Sequence, residues 1–164
     1  AELREMGYAD LVGVDVSAGL IERGISLHPS LDLRVFDGAR LPFVDESFDA
    51  VLLFGVLTCI PGDQAQLRVV NLISRALKSG GILCLADFLL NRDERNQLRY
   101  QEAQGAYDAY GVFELPEGVV LRHHDPGWLA QLTAGFYGLS SQERRVTTMN
   151  GHWARSLLYF GRKA

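Results

Sequence analysis

Leu11-Val12-Gly13-Val14-Asp15-Val16-Ser17 is the stretch whose reading decides the fold. Its first four residues are apolar or glycine on both faces, as in a strand that a parallel sheet covers on both sides. The run stops at an acid. Ser17 is placed to cap a helix over residues 18–27, and His28-Pro29 closes that helix because a residue before proline avoids helical backbone. A second short strand over residues 31–36 ends at Asp37. Upstream, residues 1–6 read as the end of a helix, with Leu3 and Met6 on one face and Gly7 as its left-handed stop.

The same rhythm continues downstream. A loop over residues 38–47, containing Leu41-Pro42-Phe43, leads to a third strand at 48–54. Asp63 and Gln66 have the spacing of a capping box, and the pairs Val69-Val70, Leu72-Ile73 and Ala76-Leu77 step by three or four as one buried stripe requires. Lys78 and Gly80 are read as the end of that helix, and residues 81–89 as a fourth strand. Strands alternating with helices predict parallel pairing through right-handed crossovers. Beyond Arg92 the character changes. Residues 92–110 read as an exposed, lid-like helix and 112–121 as irregular. Residues 126–134 read as a short amphipathic helix, and 136–148 with 156–161 as a closing antiparallel strand pair.

Composition bounds the function. The 164 residues suffice for one core, and 48% apolar with 22% charged is a globular balance. A net charge of −4 and a pI near 5.5 argue against a partner bound by phosphate neutralisation. Arg144-Arg145 is the only adjacent basic pair before Arg162-Lys163. Two distant cysteines, Cys59 and Cys84, are read as buried thiols of a reducing compartment, without zinc spacing. The apolar runs at 50–57 and 82–90 are too short for a membrane span. The expectation is a cytoplasmic protein with no membrane, nucleic-acid or metal partner; oligomeric state is not legible.

Ligand crevices of open parallel sheets lie at the carboxyl ends of the strands. Asp15, Asp37, Gly55 and Asp87 stand at four such ends. A carboxylate accepts two hydrogen bonds, so one acid can hold both hydroxyls of a ribose while a second, one strand over, meets an adenine amine. Each acid alone has a plainer explanation in turn chemistry.

Four segments in register sharpen that picture: Val12 to Ser17, Asp37-Gly38-Ala39-Arg40-Leu41-Pro42-Phe43, Asp49-Ala50-Val51 through Gly55-Val56-Leu57, and Leu77-Lys78-Ser79-Gly80-Gly81. In order and spacing over residues 11–90 the chain resembles the class I, Rossmann-like S-adenosylmethionine-dependent methyltransferases, and within them the group acting on small molecules. The resemblance implies an α/β three-layer sandwich with a mostly parallel sheet and a C-terminal antiparallel strand pair, all within one partial domain over residues 1–164. It implies that Asp15 grips the ribose of S-adenosylmethionine and that Val16 and Leu20 pack on the adenine. Asp37 with Gly38 or Ala39 would read the adenine edge. Gly55 and Val56 would line the cofactor near the sulfonium, with Phe54 offering its ring face.

The family's first strand and glycine-rich loop have no counterpart here, and that strand belongs between the strands at 11–15 and 48–54. The expectation is a piece of a longer protein, or one completed by a partner chain. Thr58-Cys59-Ile60-Pro61 stands where such proteins often carry histidines. Methyl transfer needs a base only when the acceptor must lose a proton early. His123, His124 and His152 are the candidates for that role, and no catalytic residue is assigned. Tyr107, Tyr110 and Trp128 are candidates for an acceptor pocket. Two other functions fit the residues: a nicotinamide-dependent dehydrogenase and a non-catalytic binding module on the same fold.

Overall fold

The computed structural model describes residues 2–36, 43–148 and 150–164. Asp37, Gly38 and Ala39 lie outside the described residues. The chain divides into two units, Ala1–Phe43 and Val44–Ala164.

The first unit is a parallel crossover. Helix α1 (Glu2–Glu5) ends at Gly7, whose φ of 98° is the left-handed stop the sequence predicts. Strand β1 (Val12–Asp15), helix α2 (Ala18–Leu27) and strand β2 (Asp32–Val35) follow. The two strands pair in parallel, from Val12 opposite Asp32 to Asp15 opposite Val35. Ser17 caps α2 by accepting from the Leu20 amide at 3.3 Å, and the His28 amide closes it on Gly24 O. A Cβ on Gly13 or on Gly24 would stand 2.7 or 2.6 Å from a Leu33 methyl, so the two glycines make room for that side chain between strand and helix. The expectation that β1 is buried on both faces does not hold. Val14 is exposed, because β1 has one paired neighbour and this unit packs a helix over one face only.

The second unit holds a four-stranded mixed sheet in the order β3-β4-β8-β7. Strand β3 (Phe48–Phe54) leads through a 3-10 turn (Leu57–Cys59) to helix α3 (Asp63–Ala76) and strand β4 (Leu77–Phe88). Helix α4 (Glu94–Glu102), strands β5 (Val112–Glu114) and β6 (Val120–Arg122) and helix α5 (Pro126–Leu132) come next. The antiparallel strands β7 (Phe136–Thr147) and β8 (Trp153–Lys163) close the sheet. β3 and β4 are parallel, and β4 with β8 and β8 with β7 are antiparallel. β4 is central and covered on both faces, so it reads Leu83-Cys84-Leu85 without alternation. α3 lays Val70, Ile73 and Ala76 against it. β7 is an edge strand and carries Gln142-Glu143-Arg144-Arg145, the charges that keep an edge from pairing further.

Five local expectations are corrected. Gly62, not Asp63, is the N-cap of α3, and no capping box forms because Gln66 turns into the core. β4 begins at Leu77 rather than Gly81. Leu77 already pairs with Phe48, and Gly80, at φ 77°, absorbs the register shift that follows. The stretch after Arg92 is not an exposed lid: α4 is short and anchors itself through the fully buried Tyr100 and Asn96. Residues 112–121 are not irregular but supply β5 and most of β6, an antiparallel pair. Gly111 enters this pair at φ 95° against His123 O, a position where no side chain fits. Of the two thiols only Cys84 is buried; Cys59 is exposed, its Sγ 3.6 Å from Gly55 O.

Candidate functional site

In the first unit the candidates cluster at the end of β1. The Asp15 carboxylate is half-buried, and its Oδ1 accepts the Ser17 amide at 2.8 Å, which fixes its direction. Val16 and Leu20, just beyond it, are 69% and 59% exposed. An oriented carboxylate beside bare apolar side chains suits a ligand with both a diol and a flat ring.

In the second unit Phe54, Gly55 and Val56 terminate β3. Gly55 takes φ 63° and its amide donates to Ala86 O at 2.8 Å, so the chain leaves the sheet sharply at this point. Phe54 is 54% exposed, so its ring is not part of the core. The turn that follows is held from three sides. The Thr58 amide donates to Asp87 Oδ2 at 3.2 Å and its hydroxyl to Arg122 O at 2.5 Å. Gln66 Nε2 donates to Leu57 O at 3.0 Å and to Ile60 O at 2.6 Å. These bonds hold the backbone that leaves β3 in one course.

Asp87 is not a strand-end acid open to a ligand. It is 2% exposed, and burial pushes its carboxyl up to about 6 although the amides of Phe88 and Thr58 pull it down.

The histidines divide by environment. His124 is fully buried. Its Nδ1 lies 3.1 Å from Phe88 O, a pure acceptor, so Nδ1 carries the proton and Nε2 is left as an acceptor 2.8 Å from Gln66 Nε2, whose two protons are shared among Leu57 O, Ile60 O and this ring nitrogen. Trp128 Nε1, a pure donor, meets Gln66 Oε1 at 2.7 Å and thereby sets the amide's orientation. The 3.8 Å between His124 and Asp87 is therefore no ion pair: the ring is neutral, and burial holds its pKa down at about 4. His123 Nδ1 sits 2.6 Å from the Tyr100 hydroxyl, which itself accepts the Asn91 amide at 3.1 Å, so Tyr100 donates to the ring. Burial lowers His123 to about 4 and raises Tyr100 to about 12. Both lone pairs are committed inside the fold, so neither ring serves as a base for a ligand. His152 is exposed near the tip between β7 and β8. Trp128 is half-buried and bound to Gln66, Tyr107 is half-buried, and Tyr110 is exposed against the edge of Tyr100.

Sequence reasoning missed Gln66, Asn91 and Tyr100. Gln66 had a signal: it lies on the same stripe as Val70, Ile73 and Leu77, and an amide on a buried stripe needs partners. Among the described residues no group of three His, Cys, Asp or Glu side chains is placed to hold a metal, and no helix is long and apolar enough to cross a membrane.

Comparisons with known proteins agree with this architecture. Residues 1–85 match the family model described as a methyltransferase domain. The chain is 32% identical over 133 residues to methyltransferase-like protein 27 of Homo sapiens, which covers 79% of this chain and 51% of that protein. It is 35% identical over 89 residues to demethylmenaquinone methyltransferase of Beutenbergia cavernae, covering 54% and 35%. Relatives named as tRNA methyltransferases match comparable stretches, for example 31% over 85 residues in Homo sapiens, 52% of this chain and 18% of that protein. The chain thus spans about half the length of the first of these relatives and less of the others. A SAM-dependent methyltransferase from Methanosarcina mazei shares the fold, with TM-score 0.91 at 22% identity over 99% of this chain and 85% of that one. An α/β Rossmann-like architecture, an antiparallel C-terminal strand pair and a family model matched over more than half of its length lead to one conclusion: the chain belongs to the methyltransferase domain family.

Proposed function

We propose that the protein transfers a methyl group from S-adenosylmethionine to a small-molecule acceptor. The observation that carries this reading is the end of β1, where Asp15 is oriented by the Ser17 amide beside exposed Val16 and Leu20. In this reading Asp15 accepts from the two ribose hydroxyls, and Val16 and Leu20 cover one adenine face. Asp37 with Gly38 or Ala39 meets the adenine edge. In the second unit Phe54, Gly55 and Val56 line the cofactor. The cofactor supplies a methyl carbon already activated by its sulfonium. The protein's task is then to hold donor and acceptor in line and keep water out, which supplies much of the rate. The buried His123 and His124 take no proton from the acceptor, so the acceptor is one that needs no early deprotonation by either ring. The net charge of −4 favours a small molecule over a nucleic acid, and the relatives include demethylmenaquinone methyltransferases as well as tRNA methyltransferases.

Titration calorimetry tests the reading. S-adenosylhomocysteine should bind more tightly than any nicotinamide cofactor, and Asp15→Ala should weaken it about tenfold or more, the loss expected for a charge-assisted bidentate contact. The reverse order of affinities would favour a dehydrogenase. Cofactor binding without methyl consumption by any acceptor pool would favour a non-catalytic module.

A further inference from the structure

An open groove of about 410 Å³ lies between the segment after β4 and the start of β8, and its walls are unusually rich in arginine. Four arginines border it (Arg92, Arg144, Arg145 and Arg155) beside two acids, Asp93 and Glu143; Arg145 and Arg155 share one face of the β7–β8 ladder, while Arg144, the next residue along β7, points to the other. Both acids are engaged. Asp93 caps α4 and holds Asn96 Nδ2 at 2.7 Å, and Glu143 takes Arg155 at 2.6 Å.

The other three arginines have no acidic partner among the described residues. Arg144 reaches only the Gln142 side-chain oxygen at 3.2 Å. Arg145 lies over the Trp153 ring, 4.3 Å from its centroid, and that ring is itself 58% exposed. Arg92 is exposed and meets no carboxylate. Arg145 also stands directly opposite Arg155 across the β7–β8 ladder, a like-charged pairing that Glu143 offsets on the Arg155 side, leaving Arg145 without a carboxylate of its own among the described residues. Because Phe88 pairs with Ser156, this groove opens at the carboxyl end of the parallel β3–β4 pair, the side on which ligands of such sheets bind.

We propose that the groove seats an oxyanion, a carboxylate or a phosphate, carried by the small methyl acceptor. The proposal rests on the methyl-transfer reading for the word acceptor and on the groove alone for the oxyanion. A compact anion suits the site better than a nucleic-acid backbone. The volume is that of a small-molecule site, and Asp93 and Glu143 flank the arginines where a continuous run of phosphates would meet them.

The experiment is a titration of the isotopically labelled protein with inorganic phosphate, with citrate and with a short single-stranded RNA. The Trp153 indole N–H and the amides of residues 144–155 report binding by magnetic resonance. Phosphate or citrate should shift these signals saturably, the tighter of the two identifying the oxyanion. Arg92→Gln and Arg145→Gln should each weaken it about fivefold or more while leaving the affinity for S-adenosylhomocysteine unchanged. Arg92 has no side-chain partner among the described residues, so its variant reports binding free of any folding defect. No saturable shift, equal affinity in both variants, or RNA binding tenfold tighter than either small anion would overturn the proposal. If the anion binds as expected and S-adenosylhomocysteine does not, the oxyanion site stands and the methyl-transfer reading falls.

Discussion

The two units of this chain are built from the same alternation of strand and helix, yet they keep their apolar residues in opposite places. Among the described residues the first buries one apolar side chain, Ile21, and leaves Val14, Val16, Leu20, Ile25 and Leu27 exposed. The second encloses Leu53, Leu57, Leu77, Leu83, Leu85 and Leu89 around the packed face of α3. Local rules shape the first: a cap, an oriented aspartate, glycines that admit Leu33. A shared core shapes the second. Chain-level signals can therefore be equally clear in two regions whose apolar burial differs widely.

The largest expected effect breaks that comparison at its core. Leu85→Ala empties a fully buried site in the central strand and should cost about 2–5 kcal/mol, as such truncations do. Ile21→Ala should cost about half that or less, since the site can relax toward solvent. Urea unfolding of both variants measures the ratio. Native-state hydrogen exchange should rank the amides likewise, β4 and β8 protected most and β1 and β2 least. Equal losses, or β1 protected as well as β4, would show that exposure misrepresents where the stability resides.

A second effect belongs to the second unit alone and depends on pH. His123 and His124 sit near 4 against an ordinary 6.5, and Asp87 near 6 against 3.8. Between pH 6.5 and 4 the unfolded chain takes up protons on both histidines that the folded chain refuses, so stability falls on acidification. Between pH 6 and 3.8 the folded Asp87 binds a proton that the unfolded one does not, which stabilises the fold on acidification. Each histidine contributes on the order of 3 kcal/mol across its window, and Asp87 offsets about one of them. Net stability should therefore drop by a few kcal/mol, roughly one histidine's worth, from pH 7 to pH 4.5. Urea midpoints that stay level over this range would mean that the rings are not held neutral by burial.

What the sequence made legible follows the same division. Gly7, Ser17 and His28-Pro29 act within a few residues of themselves, so the end of α1 and the bounds of α2 are readable from spacing alone. The strand at Phe48–Phe54 was readable because apolar runs bounded by turns leave little choice. The capping box at Asp63 and Gln66 failed because a tertiary demand overrode a local one. Gln66 has more to gain from Leu57 O, Ile60 O, His124 and Trp128, and Asp63 is drawn to Arg122 at 2.5 Å. The exposed lid failed for the same reason. Polar α4 looks solvated until Tyr100 finds His123, a partner 23 residues away that no helical period announces. The candidates at Asp15 and Gly55 were visible because strand ends follow from the period. Which histidines could act as bases was not, because that depends on who accepts and who donates in the folded interior.

The smallest expected effect returns to the first unit. Ser17→Ala removes the oxygen that accepts the Leu20 amide, and such losses cost about 1 kcal/mol. The bond is long at 3.3 Å, so the lower half of the usual range is expected. Ser17→Gly should cost only a few tenths of a kcal/mol, because glycine is itself a tolerated cap. The Ser17 amide still donates to Asp15 in both variants, so the carboxylate keeps its direction. Affinity for S-adenosylhomocysteine should then be unchanged while the first-turn amides of α2 exchange faster. A loss of affinity in Ser17→Ala equal to that of Asp15→Ala would mean that the helix cap, rather than the carboxylate, orders this end of β1 for its ligand.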